Sequence, residues 1–337
     1  MAIESGIGVY ASFAPEGTYG TYTETNQIFI PIISESMTQA VERIDRSAEA
    51  TGKNRWMRKP VQGRFMPVEG SIKFFFYLDD IAGYILRAML GAATNATLSG
   101  TAYSHYWYPV NSQNNSLSIE IRRGANSTPW RFAGCKIKTT KWELDNQGIL
   151  TCVIGLIAQQ YSQGNTDSVT GLGTTIAPRF FESTLTDDGG SAQAVKKWSF
   201  EVDMGLNTSA ENLFKWGQQY IIEPTPTEQM KITGSVEFLF DSTSDHARYT
   251  AYRALTEYDR LVTMTTTQAI PGGSGGEVYL FKIETPVIIM DEYTPPQYGG
   301  PGVMLESHTF GCYEGTTNNG NSAPFEITVQ NGTASYS

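Results

Sequence analysis

The strongest constraint on this chain is a two-residue rhythm. Met66, Val68, Gly70, Ile72, Phe74 and Phe76 alternate with Pro67, Glu69, Ser71, Lys73 and Phe75. An extended strand sends successive side chains to opposite faces, so one set is assigned to a core and the other to the opposite face. Similar runs span 116–122, 132–144, 149–158, 198–204, 229–240, 278–290, 303–313 and 325–329. Asp145-Asn146-Gln147-Gly148 separates two of them and predicts a hairpin turn, because Asn and Gly tolerate positive φ.

Helical signals are few. Asp79 and Asp80 precede Ile81, Ile85, Leu86, Met89 and Leu90 at helical spacing, with Gly91 at the end. This predicts an Asp-capped helix. Ser244-Asp245 likewise precedes Ala247, Ala251, Ala254 and Leu255. The expectation is a mainly β chain with about one helix per half.

The rhythm also repeats. Gly70-Ser71-Ile72-Lys73-Phe74 reads like Gly234-Ser235-Val236-Glu237-Phe238, an offset of 164. The same offset aligns Pro60 with Pro224 and Met66 with Met230. Upstream, 36–42 loosely matches 206–212. Downstream, Lys136-Ile137-Lys138-Thr139 matches Lys282-Ile283-Glu284-Thr285 at an offset of 146. The order of strand, long loop, strand, helix, loop, strand recurs in both halves, the signature of an internal duplication. Residues 164–193 are rich in Gly, Ser, Thr and Asp without sustained periodicity and read as a linker. The expected organisation is a first domain at 1–163, this linker, and a second domain with a C-terminal tail at 194–337.

Charge is unevenly spread. The 337 residues carry a net charge of −10, which disfavours a general duplex-DNA binder. Yet residues 42–64 hold seven basic residues (Arg43, Arg46, Lys53, Arg55, Arg58, Lys59 and Arg64) against three acidic, a net +4 that leaves −14 elsewhere. This segment suits a solvated loop, a self-association arm docking on acidic surface of a neighbouring copy, or nucleic-acid contact. Its counterpart in the second half, 218–229, is short and carries Pro224 and Pro226.

Motifs of chemistry are weak. Gly272-Gly273-Ser274-Gly275-Gly276 fits G-x-S-x-G, but a strand-like run follows where a nucleophile elbow needs a helix. His105, His246 and His308 show no metal-ligand spacing. No phosphate-binding glycine motif occurs, and no cofactor, metal or catalytic residue is expected. Asp79-Asp80 and Asp187-Asp188 read as a helix start and a solvated loop. Cys135, Cys152 and Cys312 cannot all pair and read as buried free thiols. The N-terminal residues lack a basic then apolar pattern, and no apolar run reaches the roughly 18 residues of a span, so neither a signal peptide nor a membrane partner is expected. Tyr103-Ser104-His105-Tyr106-Trp107-Tyr108 is an aromatic cluster. It suits stacking on sugars or bases, or, as favoured here, a strand buried on both faces, in the core and at a subunit contact.

These residues resemble phage tail tube (major tail) proteins. Ala14-Pro15-Glu16-Gly17-Thr18-Tyr19-Gly20-Thr21 is similar to the E-x-x-x-G-T opening of one such family. Ile30-Pro31-Ile32-Ile33-Ser34-Glu35-Ser36-Met37 resembles its first strand and the start of its long arm. Residues 61–74 followed by 78–91 resemble its central strand-helix unit, and 115–120 and 132–137 the next two strands. The likeness covers most of the first half well and the second half loosely. The linker at 164–193 and the tail after Tyr313 depart from it.

The resemblance implies two tandem tail-tube-like β-sandwich or barrel domains, each with one flanking α-helix. It implies stacked rings that form a DNA conduit in the virion, after synthesis in the host cytoplasm. Family rings present six tube domains, so a two-domain chain implies a homotrimer; homohexameric rings are the alternative. The implied partners are other copies of the chain, a tape measure, a tail terminator, a baseplate or tip, and passing viral DNA. Arg43, Arg46, Lys53, Arg55, Trp56, Arg58 and Lys59 are assigned to inter-ring contact, and Tyr106, Trp107 and Tyr108 to a subunit interface. Two rival functions remain: a carbohydrate-binding β-sandwich of a receptor-binding or baseplate protein using those three aromatics, and a serine hydrolase using Ser274.

Overall fold

The structure is a computed structural model and describes residues 9–45, 59–110, 115–124, 128–146, 148–164, 177–240, 245–296 and 303–336. The first half contains β1 (Tyr10–Pro15), β2 (Ile28–Pro31), β3 (Ser34–Glu35), β4 (Thr38–Ile44), β5 (Val61–Phe75) and α1 (Asp80–Leu90). It continues with β6 (Thr94–Ser99), β7 (Ala102–Trp107), β8 (Leu117–Arg122), β9 (Trp130–Asp145), β10 (Thr151–Ala158) and β11 (Gln160–Gln163). The second half contains β12 (Ser183–Asp187), β13 (Val195–Asp203), α2 (Ala210–Leu213), β14 (Lys231–Leu239) and α3 (Asp245–Ala254). It ends with β15 (Tyr258–Ala269), β16 (Val278–Thr294), β17 (Leu305–Tyr313), β18 (Gly315–Thr316), β19 (Ser322–Ala323) and β20 (Glu326–Asn331).

The fold is mainly β. Each of the nine runs read from the sequence lies on a strand, and the β9–β10 turn closes with the Gly148 N–H donating to the Asp145 carbonyl at 3.1 Å. The helix after β5 begins where expected: Asp79 Oδ1 accepts from the Ile81 N–H, and Gly91 returns its N–H to the Arg87 carbonyl. Its apolar residues are buried on both sides of the stripe, so it is a core helix.

The second helix also forms in place, with a different face inward. Leu255, just past its end, is exposed, while Arg248, Ala251 and Tyr252 turn inward. Arg248 sits 4.2 Å over the Phe238 ring and pairs with the buried Glu306, and Tyr252 stacks on Tyr293. An alanine stripe is too shallow to fill this space, so long polar side chains do.

All ladders are antiparallel, and one pairing order occurs in both halves. In the first it runs β4–β5–β10–β9–β8–β1. In the second it runs β13–β14–β17–β16–β15–β12. A helix follows the second strand of each series, and β11 and β20 take comparable places on β9 and β16. Gly70 and Gly234 are glycine for close approach: an added Cβ would lie 2.7 Å from the Met37 backbone or 2.0 Å from the Phe310 ring.

Two further sequence matches have no structural counterpart. Residues 36–42 lie mostly on β4, whereas 206–212 form a loop and the start of α2. Lys136–Thr139 faces β10, whereas Lys282–Thr285 faces β15 and β20. Within the segment read as a linker, 183–187 is β12, hydrogen-bonded to β15.

The halves share one sheet and one core. β13 pairs with β9 from Lys197↔Asp145 to Asp203↔Thr139, and β20 pairs with β7. The result is a continuous run of eight strands, β4–β5–β10–β9–β13–β14–β17–β16, which among the described residues does not close on itself into a barrel. Behind it, Phe76 and Trp142 pack on Phe281 and Phe200, rings from opposite halves 5.1 to 6.2 Å apart.

Candidate assembly and channel surface

Period two gives the eight-stranded sheet two unlike faces. One buries Ile72, Phe74, Trp142, Ile154, Phe200, Val236 and Phe310. On the other, directly opposed residues form a row across six strands: Thr151, Glu143, Ser199, Ser235, Thr309 and Glu292. Ser199 and Ser235 are bonded through their hydroxyls at 2.7 Å. From β5 to β16 this face carries eight carboxylates (Glu69, Glu143, Asp145, Glu201, Asp203, Glu237, Asp291, Glu292) and six lysines (Lys73, Lys136, Lys141, Lys196, Lys197, Lys231). Lys141 pairs with Glu143 at 2.7 Å and, by that hydrogen bond, holds its carboxyl below the usual range. The face is small, polar and net acidic.

The run of eight strands ends in two open edges. Among the described residues, no strand pairs with the outer edge of β4, nor with the β15 side of β16 beyond Ile288. On β9, the comparable stretch is the one that β13 occupies. Unpaired edges of this kind are templates for further strand pairing.

Two projections share one end of the sheet. The first is the β4–β5 ribbon, with Val41, Ile44 and Val61 exposed and Glu42 paired to Arg64 at 2.9 Å. The second is the β13–β14 connection. Buried Leu213 and Ile221 anchor it, and the Ile222 N–H donates to the Leu213 carbonyl at 2.8 Å. The two are joined: Phe65 stacks on Tyr220 at 5.2 Å, Arg64 covers Phe214 at 4.4 Å, and the Phe65 N–H donates to the Gln219 carbonyl.

Of the residues assigned to inter-ring contact, Arg43 and Lys59 are exposed at the far end of the ribbon, where Arg43 lies opposite Gln62. Arg46, Lys53, Arg55, Trp56 and Arg58 lie outside the described residues. The aromatic cluster is divided. Tyr106 and Tyr108 are half-buried, whereas Trp107 is fully buried against His105 and Tyr336 of its own chain. Trp107 is therefore withdrawn from any neighbouring subunit, and the three rings offer no continuous platform for a sugar. Sequence reasoning missed Trp216 and the open edges. A tryptophan beside glycine in the polar stretch Lys215-Trp216-Gly217-Gln218 was the available signal for the first.

Several further polar groups of the fold have structural partners. Glu16 accepts from the Gly20 and Gly134 N–H groups and the Ser116 and Ser118 hydroxyls, which explains the Glu16-x-x-x-Gly20 spacing. His105 bonds Asn95 and the Thr333 carbonyl. Arg260 makes two bonds to Asp187 and one to His308 Nε2. Burial opposes the Arg260 charge, but Asp187 outweighs it and the pKa is raised. Burial and the Arg260 charge push the His308 imidazole down to about 2, so it stays neutral and accepts that bond. Cys135 and Cys152 are buried free thiols with pKa raised by burial; Cys312 is free and half-buried. Ser274 lies in the loop between β15 and β16, two strands, where its N–H donates to Ser99 Oγ. Among the described residues, no group of three or more His, Cys, Asp or Glu could hold a metal ion, and no helix is long and apolar enough to cross a membrane.

Comparison with known proteins gives one result for nearly the whole chain. A family model described as phage tail tube protein matches residues 6–327. No curated protein matches.

Proposed function

The chain belongs to the phage tail tube protein family, and on that premise we propose that three copies close into a ring whose polar sheet face lines a DNA channel. The observation that carries this reading is the seam between β9 and β13. It joins two four-stranded units of the same pairing order, and it leaves at the ends of the sheet the same two kinds of edge that it has joined inside. A heterologous contact repeated around an axis closes a ring and removes both edges. In this reading the chain is an internal duplication, each chain supplies two of six tube units, and the ring has true threefold symmetry.

The seam also supplies a register. Glu201 of β13 lies opposite Lys141 of β9. Following the ladders outward from Gly70 and Gly234, Thr38 takes the place of Glu201 and Thr294 that of Lys141. Thr38 of one chain therefore pairs with Thr294 of the next.

The net acidic, small-residue face suits a channel wall, because like charge keeps phosphates from sticking. The basic arm, with Arg43, Arg46, Lys53, Arg55, Trp56, Arg58 and Lys59, docks on acidic surface of the adjacent ring, and Tyr106 and Tyr108 lie toward a subunit boundary. The assembled tube belongs to the virion, is made from chains synthesised in the host cytoplasm, and meets the tape measure, terminator and baseplate or tip. Negative-stain microscopy and the mass of a single ring test the proposal. Hollow rings of three chains are expected; a ring of six chains refutes the stoichiometry, and monodisperse single chains refute assembly.

A further inference from the structure

Trp216 is fully exposed, the most exposed large apolar side chain among the described residues. It is also firmly presented. The Gln218 N–H donates to the Lys215 carbonyl at 3.1 Å, and Gly217 takes φ +82°, the turn geometry that glycine allows at the third position. The loop below is pinned by buried Leu213 and Ile221 and by the Phe65–Tyr220 stack. An exposed tryptophan on a braced turn has the character of an interface anchor.

A receptor for it lies at the other end of β13. Between β12, β13 and β15 is an open apolar cavity of about 210 Å³, lined by Leu144, Leu185, Val195, Trp198, Val262 and Met264. Phe181 stands at its mouth, 71% exposed. A cavity of roughly 150 Å³ lined by such residues takes up benzene, so this one has room for an indole. The nine residues of β13 separate knob from cavity by roughly 30 Å along the strand direction. A protrusion at one end and a matching hollow at the other make a head-to-tail contact, which propagates as a stack.

We propose that Trp216 of each chain inserts into the β12–β13–β15 cavity of a chain in the adjacent ring and locks the rings in sequence. This rests on the ring reading above and adds a second stacking contact to the basic arm. The test uses the full chain with Trp216→Ala and Phe181→Glu, both at exposed positions that leave the core intact. Each variant is expected to form rings, with the concentration needed for tube growth raised at least about tenfold. Pre-formed Trp216→Ala rings keep the cavity, and Phe181→Glu rings keep the knob, so mixing them should give stacks of two rings and no longer. Wild-type tubes together with Trp216→Ala tubes of equal length at equal concentration overturn the docking alone. A wild-type protein that stays as single chains overturns the ring reading and the docking with it.

Discussion

Glu201 on β13 lies directly opposite Lys141 on β9, and this pair sits in the seam where the two halves of the chain become one sheet. Each residue belongs to a different half, yet their strands pair along seven residues from each side. The seam shows, inside one chain, the contact proposed between chains.

The first prediction is a cross-link at the proposed seam. Directly opposed residues on neighbouring antiparallel strands have Cα atoms about 4.5 or 5.5 Å apart, within disulfide range. A Thr38→Cys, Thr294→Cys double variant, oxidised after assembly, should run as a covalent trimer on a non-reducing gel. Either single variant should run as single chains. Assembled rings that yield no cross-link would remove the seam assignment.

The basic arm gives the second. Changing Arg55 and Arg58 to Glu reverses the charge of the proposed inter-ring contact without touching the described core. Rings should form and tubes should not. Normal-length tubes from this variant, seen by negative stain, would show that the arm does not stack rings.

The channel face gives the third. Glu69 and Glu292 are exposed on it. Replacing both by Lys changes the face of one chain by four charge units toward positive. At low salt, tubes of the Glu69→Lys, Glu292→Lys variant should retain a short DNA fragment that wild-type tubes release, and added salt should abolish retention. Equal DNA binding by variant and wild type, measured by co-sedimentation, would place this face away from the channel.

His308 gives the fourth. It packs among Arg260, Arg248, Asp187 and Glu306, and its folded pKa of about 2 lies far below the ordinary 6.5. Below 6.5 the unfolded chain takes up a proton that the folded chain refuses, so stability is complete above that pH and falls as pH drops from 6.5 toward 2. The slope is at most about 1.4 kcal/mol per pH unit, or about 2 kcal/mol by pH 5. Urea unfolding at pH 7 and pH 5 should show this loss, and His308→Gln should remove most of it. An unchanged slope in the variant would assign the acid sensitivity elsewhere.

Local physics made much of the fold legible. The alternation through Ile72 and Phe74 reports a half-buried strand wherever that strand lies, and Asp79 caps a helix by a bond two residues away. β15 escaped notice because threonines occupy much of its length and blur the apolar alternation, although Val262 and Met264 are buried. The inward face of α3 was hidden for another reason. Arg248 is at home there only because Glu306 and the Phe238 ring, distant in sequence, await it.

The sequence by itself determined the class of the chain: β rhythm, capped helix, repeated Gly-Ser-aliphatic strand, basic segment in an acidic body, and likeness to tail tube proteins. Each of these is carried by neighbours along the chain. Only the tertiary structure decided which edges stay open, which face is polar across eight strands, that Trp107 is enclosed, and that Trp216 and an apolar cavity stand at opposite ends of β13. These depend on pairing between residues many positions apart, and strand periodicity specifies that a residue has two faces without specifying what will cover either of them.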